Sequence, residues 1–151
     1  MRGHHGLALI EVIVVLAVLA LVAGALLWSG PRGPSAVVVA RELATALSLT
    51  RWSVVQEGAA RTLLASAGGE LSTAPGYACS VAVAGARATW SPPPRTFVAW
   101  PAMGLAFAPD GRPRRCDGSA VGNTTILIEG PRGDRAAIIV ASLGRVRWER
   151  R

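Results

Sequence analysis

From residue 7 to residue 28 the sequence runs with one ionisable side chain, Glu11, among Leu, Val, Ile, Ala and Gly, and closes on Trp28. As a helix at about 1.5 Å per residue, this run is about 33 Å long, close to the thickness of a bilayer core. A secretory signal peptide has a shorter apolar core, roughly 7–15 residues, followed by a small-residue cleavage site. Here the run passes into Trp28-Ser29-Gly30-Pro31-Arg32 without an A-x-A site. A plain membrane anchor fits the length but not Glu11. A carboxylate near the middle of a spanning helix costs about 2.5–3.5 kcal/mol on insertion scales, so it implies a partner; for Glu11, four residues into the run, the alternative is a plain anchor whose carboxylate reaches the headgroups. The rest of the 151 residues is rich in Gly, Pro, Arg and Ala and has two cysteines. That composition excludes a disordered polar chain, a disulfide-dense miniprotein and a polytopic membrane protein. It leaves one modest domain carried on one apolar N-terminal segment.

The residues before this run are Met1-Arg2-Gly3-His4-His5-Gly6, a short, positively charged leader ending in glycine. Leader, glycine, spaced Glu11 and uninterrupted apolar run together resemble the class III signal of type IV pilins and type II secretion pseudopilins. The resemblance implies that a prepilin peptidase cuts between Gly6 and Leu7 and methylates the new N-terminus at Leu7. Glu11 then stands fifth in the mature chain, where the family has its glutamate. Leu7 departs from the usual Phe, but it keeps the position apolar. The chemistry agrees: the new ammonium and a carboxylate are each costly alone in lipid, and much less so when paired between neighbouring helices. The implied partners are the peptidase, other major and minor pseudopilins, and an inner-membrane assembly platform. The implied location is a single pass in a bacterial inner membrane, with the C-terminal domain in the periplasm.

Glycine and proline at residues 30–34 must interrupt or kink a helix. Helical periodicity then resumes behind Ser35, a candidate N-cap, with Val39, Leu43, Leu47, Thr50 and Val54 on one stripe and Gly58 as the stop. Short β-type runs follow at residues 61–65, 77–83, 95–100, 105–108, 124–129, 135–141 and 145–149, broken by glycine and proline. The last three read as a meander. The expected fold is α+β: a long N-terminal pilin-type helix, spanning a membrane in its first half and kinked at residues 30–34, packed on an antiparallel β domain. Its parts are a leader at 1–6, a transmembrane helix at 7–28, a kink and amphipathic helix at 29–58, and a β domain at 59–151. Gly104-Leu105-Ala106-Phe107, Thr125-Ile126-Leu127-Ile128 and Ile138-Ile139-Val140-Ala141-Ser142-Leu143-Gly144-Arg145-Val146-Arg147 follow the layout of the GspH/FimT group. That group holds minor pseudopilins of type II secretion systems and FimT-like minor pilins of type IV pili.

Enzymatic readings fail on inventory. Both histidines, His4 and His5, lie in the leader, and the acidic residues are scattered without a paired-carboxylate spacing. No cofactor or metal ligand set is expected. Cys79 and Cys116 would lie in an oxidising compartment, where a disulfide is expected, two separate buried thiols being the alternative. Trp28 suits a membrane interface, and the other four tryptophans suit a core or its lids. Every basic residue is an arginine, 16 in all, and the net charge is +7. Between Arg112 and Arg151 nine arginines face four acids. Strand alternation at the C-terminus places Val146 and Trp148 on one face and Arg145, Arg147 and Glu149 on the other. The Gly144-Arg145-Val146-Arg147 pattern is similar to the DNA-contacting tail of FimT-like pilins, which makes Arg145 and Arg147 candidate DNA contacts. A solvated strand face is the alternative.

Overall fold

The computed structural model of the protein describes residues 5–28, 33–80, 82, 85–100 and 104–151. The chain divides into two compact units, Met1–Arg32 and Gly33–Arg151. The first holds one helix, α1 (His5–Trp28). It is apolar on every face: Ile10, Leu16 and Val22, about 120° apart around the axis, are 61%, 60% and 52% exposed. A helix of this kind has no polar side to give to water, so its surroundings must be apolar. Among the described residues no helix is long and apolar enough to cross a membrane. The expected span begins and ends in residues 7–9 and 26–28, whose side chains lie outside the described set. The expected kink falls largely at residues 29–32, also outside it.

The second unit begins with α2 (Ala36–Glu57), which buries Ala36, Val39, Ala40, Leu43, Ala44, Leu47 and Val54. Alanines at every fourth position let the helix axis approach the sheet closely, while Val and Leu fill the gaps. Thr50, placed on the stripe from the sequence, is only half-buried. Gly58, at φ 64°, ends the helix in the left-handed conformation expected of it.

The N-terminus differs from expectation. Ser35 makes no side-chain capping bond; only its carbonyl accepts, from the Val38 and Val39 amides. The Ala36 N–H instead donates to Asp134 Oδ2 at 2.6 Å, from 98 residues away. A carboxylate also opposes the positive end of the helix dipole favourably. Gly130 makes room for it, since a Cβ there would overlap the Asp134 carboxylate and stand 2.8 Å from the Ala36 nitrogen. Asp134→Ala should therefore lower domain stability by about 1–3 kcal/mol, the sum of a lost cap and a stranded amide. Urea unfolding followed by circular dichroism checks it; a change below about 0.5 kcal/mol, the size of an ordinary surface substitution, refutes the clamp.

Two antiparallel sheets follow. The first has the order β3-β2-β1-β5-β6 and the second β4-β7-β8-β9. Their strands are β1 (Arg61–Ala65), β2 (Leu71–Pro75), β3 (Arg87–Trp90), β4 (Phe97–Ala99), β5 (Gly104–Phe107), β6 (Pro113–Arg115), β7 (Thr124–Glu129), β8 (Arg135–Val140) and β9 (Val146–Arg150). The last three form the expected meander. One core gathers the α2 stripe, Leu63, Leu105 and Phe107 from the first sheet, and Val98, Ile126, Ile128, Ile138 and Val140 from the second. Central β1 is buried on both faces: Leu63 joins that core, while Leu64 packs with Ala74 and Ala78 in a smaller cluster.

The strand expected at 77–83 is not formed over its described residues, and β2, β3 and β6 appear where none was expected. The reason is local. The Thr62 hydroxyl donates to the Gly76 carbonyl at 2.7 Å and accepts from the Ala78 amide at 3.1 Å, which pins these residues as a turn under β1.

Five hairpin loops, at residues 66–70, 108–112, 115–119, 130–134 and 141–145, share one hydrogen-bond pattern. The first residue's amide donates to the fifth carbonyl, and the fourth amide donates back to the first carbonyl. The fourth residue is always glycine, with φ between 73° and 85°. This is a type I turn closed by a left-handed bulge residue, which glycine adopts without strain. In the loop at 115–119, the Ser119 hydroxyl and amide hold the Asp117 carboxyl below its ordinary range. Its contribution is complete at neutral pH and fades as acid protonates that carboxylate.

Candidate functional site

Three places carry the residues singled out from the sequence. At the first, Gly6 and Leu7 stand in the opening turn of α1, with residues 1–4 of the leader outside the described set. Glu11 follows Leu7 by four residues, about 6 Å along the helix axis. Glu11 is exposed among exposed apolar neighbours, including Ile10 and Val12. A carboxyl group set among apolar side chains in lipid ordinarily takes a partner.

At the second, Cys79 and Cys116 are joined by a disulfide, with Cα atoms 4.9 Å apart. It ties the loop after β2 to the turn after β6.

At the third, the β8–β9 register pairs Val140 with Val146, Ile138 with Trp148 and Ile139 with Arg147. Val146 and Trp148 therefore share the face of core residues Val140 and Ile138, while Arg147 lies on the opposite face of the sheet. Trp148 is stacked by Arg41 of α2, the guanidinium carbon 5.1 Å from the ring centroid. Arg145 and Arg147 are both exposed. Among the described residues neither takes part in a salt bridge, whereas Arg61, Arg112, Arg135 and Arg151 each face a carboxylate.

Gly144, ahead of these arginines, is buried at φ 84°. A Cβ there would run into the Gly111 carbonyl oxygen, which also accepts a 2.9 Å bond from Arg51 Nε. Two hairpin turns, one from each sheet, thus meet under an arginine of α2. Arg51, Arg41 and Asp134 were not singled out from the sequence, because their partners are 60, 107 and 98 residues away. Of the tryptophans, Trp90 is buried in the core while Trp52 is 63% exposed, against the expectation of a core or lid role.

Residues 1–27 match the prokaryotic N-terminal methylation motif. The chain thus carries a type IV pilin-like leader, which implies processing by prepilin peptidase and assembly with other pilins. No curated protein and no solved structure matches the chain.

Proposed function

We propose that this protein is a minor pseudopilin of a type II secretion system, held in the bacterial inner membrane by α1 with its β domain in the periplasm. Its work is assembly rather than catalysis. It joins a short pseudopilus with other pseudopilins on an inner-membrane platform and helps to export folded proteins. The observation that carries this reading is the methylation motif ending in a helix that is apolar all round except for Glu11. After cleavage, the Leu7 ammonium of one subunit and the Glu11 carboxylate of its neighbour neutralise each other, and this sets the axial register. The mature protein should begin at Leu7, as read by N-terminal sequencing or intact mass; a chain still starting at Met1 sinks the proposal. Glu11→Ala should insert normally and co-purify with partner pseudopilins at a small fraction of the wild-type level. Undiminished co-purification would discard the pairing.

A second reading, a FimT-like minor pilin that takes up DNA, draws support from the exposed Arg145, in the turn before β9, and Arg147, on β9, neither of which forms a salt bridge among the described residues. Guanidinium forks suit phosphates, and binding through them falls steeply with salt. Under this reading Arg145→Gln with Arg147→Gln reduces duplex binding and flattens its salt slope by about two charges. An anisotropy titration at low salt with no association at micromolar protein removes it.

A further inference from the structure

Strand β9 is an edge of its sheet, and the ladder shows which of its backbone groups look outward. At one end of the β8–β9 pair the Ala141 amide donates to the Arg145 carbonyl, and at the other the Arg151 amide donates to the Arg135 carbonyl. Antiparallel bonds alternate along a strand, so Arg145, Arg147, Glu149 and Arg151 turn their N–H and C=O toward β8. Val146, Trp148 and Arg150 turn theirs to the open side, where among the described residues no protein group bonds them. The other edges are blunted. β3 has four residues and a register shift in its ladder, β4 has three residues, and β6 has three and begins with Pro113. β9 has five, with neither proline nor register shift.

A groove of about 630 Å³ lies between α2 and this strand, lined by Arg41, Thr45, Leu49 and Trp52 of the helix and Val146 and Trp148 of β9. The sheet contributes to it through β9 alone, so the groove borders the open edge. Its walls are largely apolar and face solvent: Leu49 and Trp52 are each 63% exposed. The charge is one-sided. No acid lines the groove, and residues 145–151 carry four arginines and one acid, Glu149, which is paired with Arg151.

We propose that the β9 edge and this groove together take up an extended segment of a partner protein, which joins the sheet antiparallel to β9 and alternates apolar with acidic residues. A residue that bonds Val146, Trp148 or Arg150 in antiparallel pairing lies on their face of the sheet, so its side chain is apolar to suit the groove. The residues between turn to the opposite face, where Arg147 has no salt bridge among the described residues and a carboxylate is the matching group. Main-chain bonds give such a strand its affinity, and the two indoles anchor it. A second copy of β9 would set four arginines against four, so the occupant is an acidic segment rather than this chain itself. The proposal goes beyond both assembly readings and requires neither.

The test uses the full chain in detergent and, as probe, a peptide of about ten residues that alternates valine with glutamate. Tryptophan fluorescence gives the affinity, and amide exchange followed by NMR gives the register. Binding should slow exchange at Val146, Trp148 and Arg150 and leave Arg147 and Glu149 unchanged, since their amides already face β8. N-methylation of the valines, which carry the bonding amides, should abolish binding, while N-methylation of the glutamates should not. Lysine in place of glutamate should weaken it about tenfold or more. Trp52→Ala should do the same with native circular dichroism, because this indole is exposed on the helix. Absence of saturable binding up to about 1 mM, equal affinity for the peptide with N-methylated valines, or unchanged affinity in Trp52→Ala overturns the proposal. Polyglutamate bound as tightly as the alternating peptide also overturns it, since charge alone then suffices. So does protection of the three amides that grows with protein concentration in the absence of peptide, which assigns the edge to a second copy. Processing at Leu7 and assembly through Glu11 are untouched by any of these results.

Discussion

Replacing Cys79 and Cys116 together by alanine should lower the unfolding free energy of the β domain by about 4 kcal/mol. The bridge closes a segment of 37 residues, and on the chain-entropy account a loop of that length restricts the unfolded chain by about this amount. The folded side gives reason to expect the full effect. Cys79 is exposed, and its segment is tied to β1 by the Thr62 bonds around Gly76 and Ala78 and by the packing of Ala78 on Leu64. Cys116 lies in a turn after a three-residue edge strand. Urea unfolding of oxidised wild type and the double variant measures the difference. A loss below about 1 kcal/mol would mean that the unfolded chain is already constrained there. Thiol labelling of denatured, unreduced wild type should find no free cysteine.

Gly144→Ala should cost about 3–5 kcal/mol, and the comparison with Gly133→Ala explains why. Both glycines occupy the fourth position of the same turn, at φ 84° and 73°. Alanine at Gly133 would meet nothing within 4 Å, so it pays only the backbone cost of a left-handed residue, about 1–2 kcal/mol. At Gly144 the methyl would overlap the Gly111 carbonyl and crowd the Arg51 guanidinium. Overpacking of this kind adds about 1–3 kcal/mol, and the Arg51 bond to Gly111 is disturbed as well. Thermal unfolding of the two variants side by side separates the contributions. Equal losses at both positions would show that the two turns do not press on one another. The glycine ahead of the C-terminal arginines then has a structural duty of its own, whatever those arginines bind.

The contiguous parts of this molecule were legible in its sequence and the assembled parts were not. The leader, Gly6, Leu7 and Glu11 form one unbroken motif, and the Arg145 and Arg147 pair is equally local. α2 was readable because one face is buried along its whole length, and the β7–β9 meander because its turns carry glycine at a fixed place. Strand β2 escaped notice because Leu-Ser-Thr-Ala-Pro lacks a run of β-branched apolar residues, and its ladder to β1 holds it regardless. β3 leaves three of its four residues exposed at a sheet edge, so it shows little alternation. Residues 77–80 have strand-like composition, but a threonine hydroxyl and a disulfide take their place in the fold. The meeting of Gly111, Gly144 and Arg51 draws on two hairpin turns and a helix that are far apart in the chain. No local pattern carries that information.

The bond from Ala36 to Asp134 also decides where tension goes. Gly33 lies against Pro131 of the loop that holds Asp134, with 3.1 Å to its Cγ from a Cβ position. A pull arriving along the chain from its N-terminal side therefore meets this loop before it can peel the first turn of α2. The load passes into the β7–β8 hairpin, whose ladder pairs six residues and lies between two other strands. The carboxylate thus works as a mooring, taking the strain at the place where the chain enters the domain.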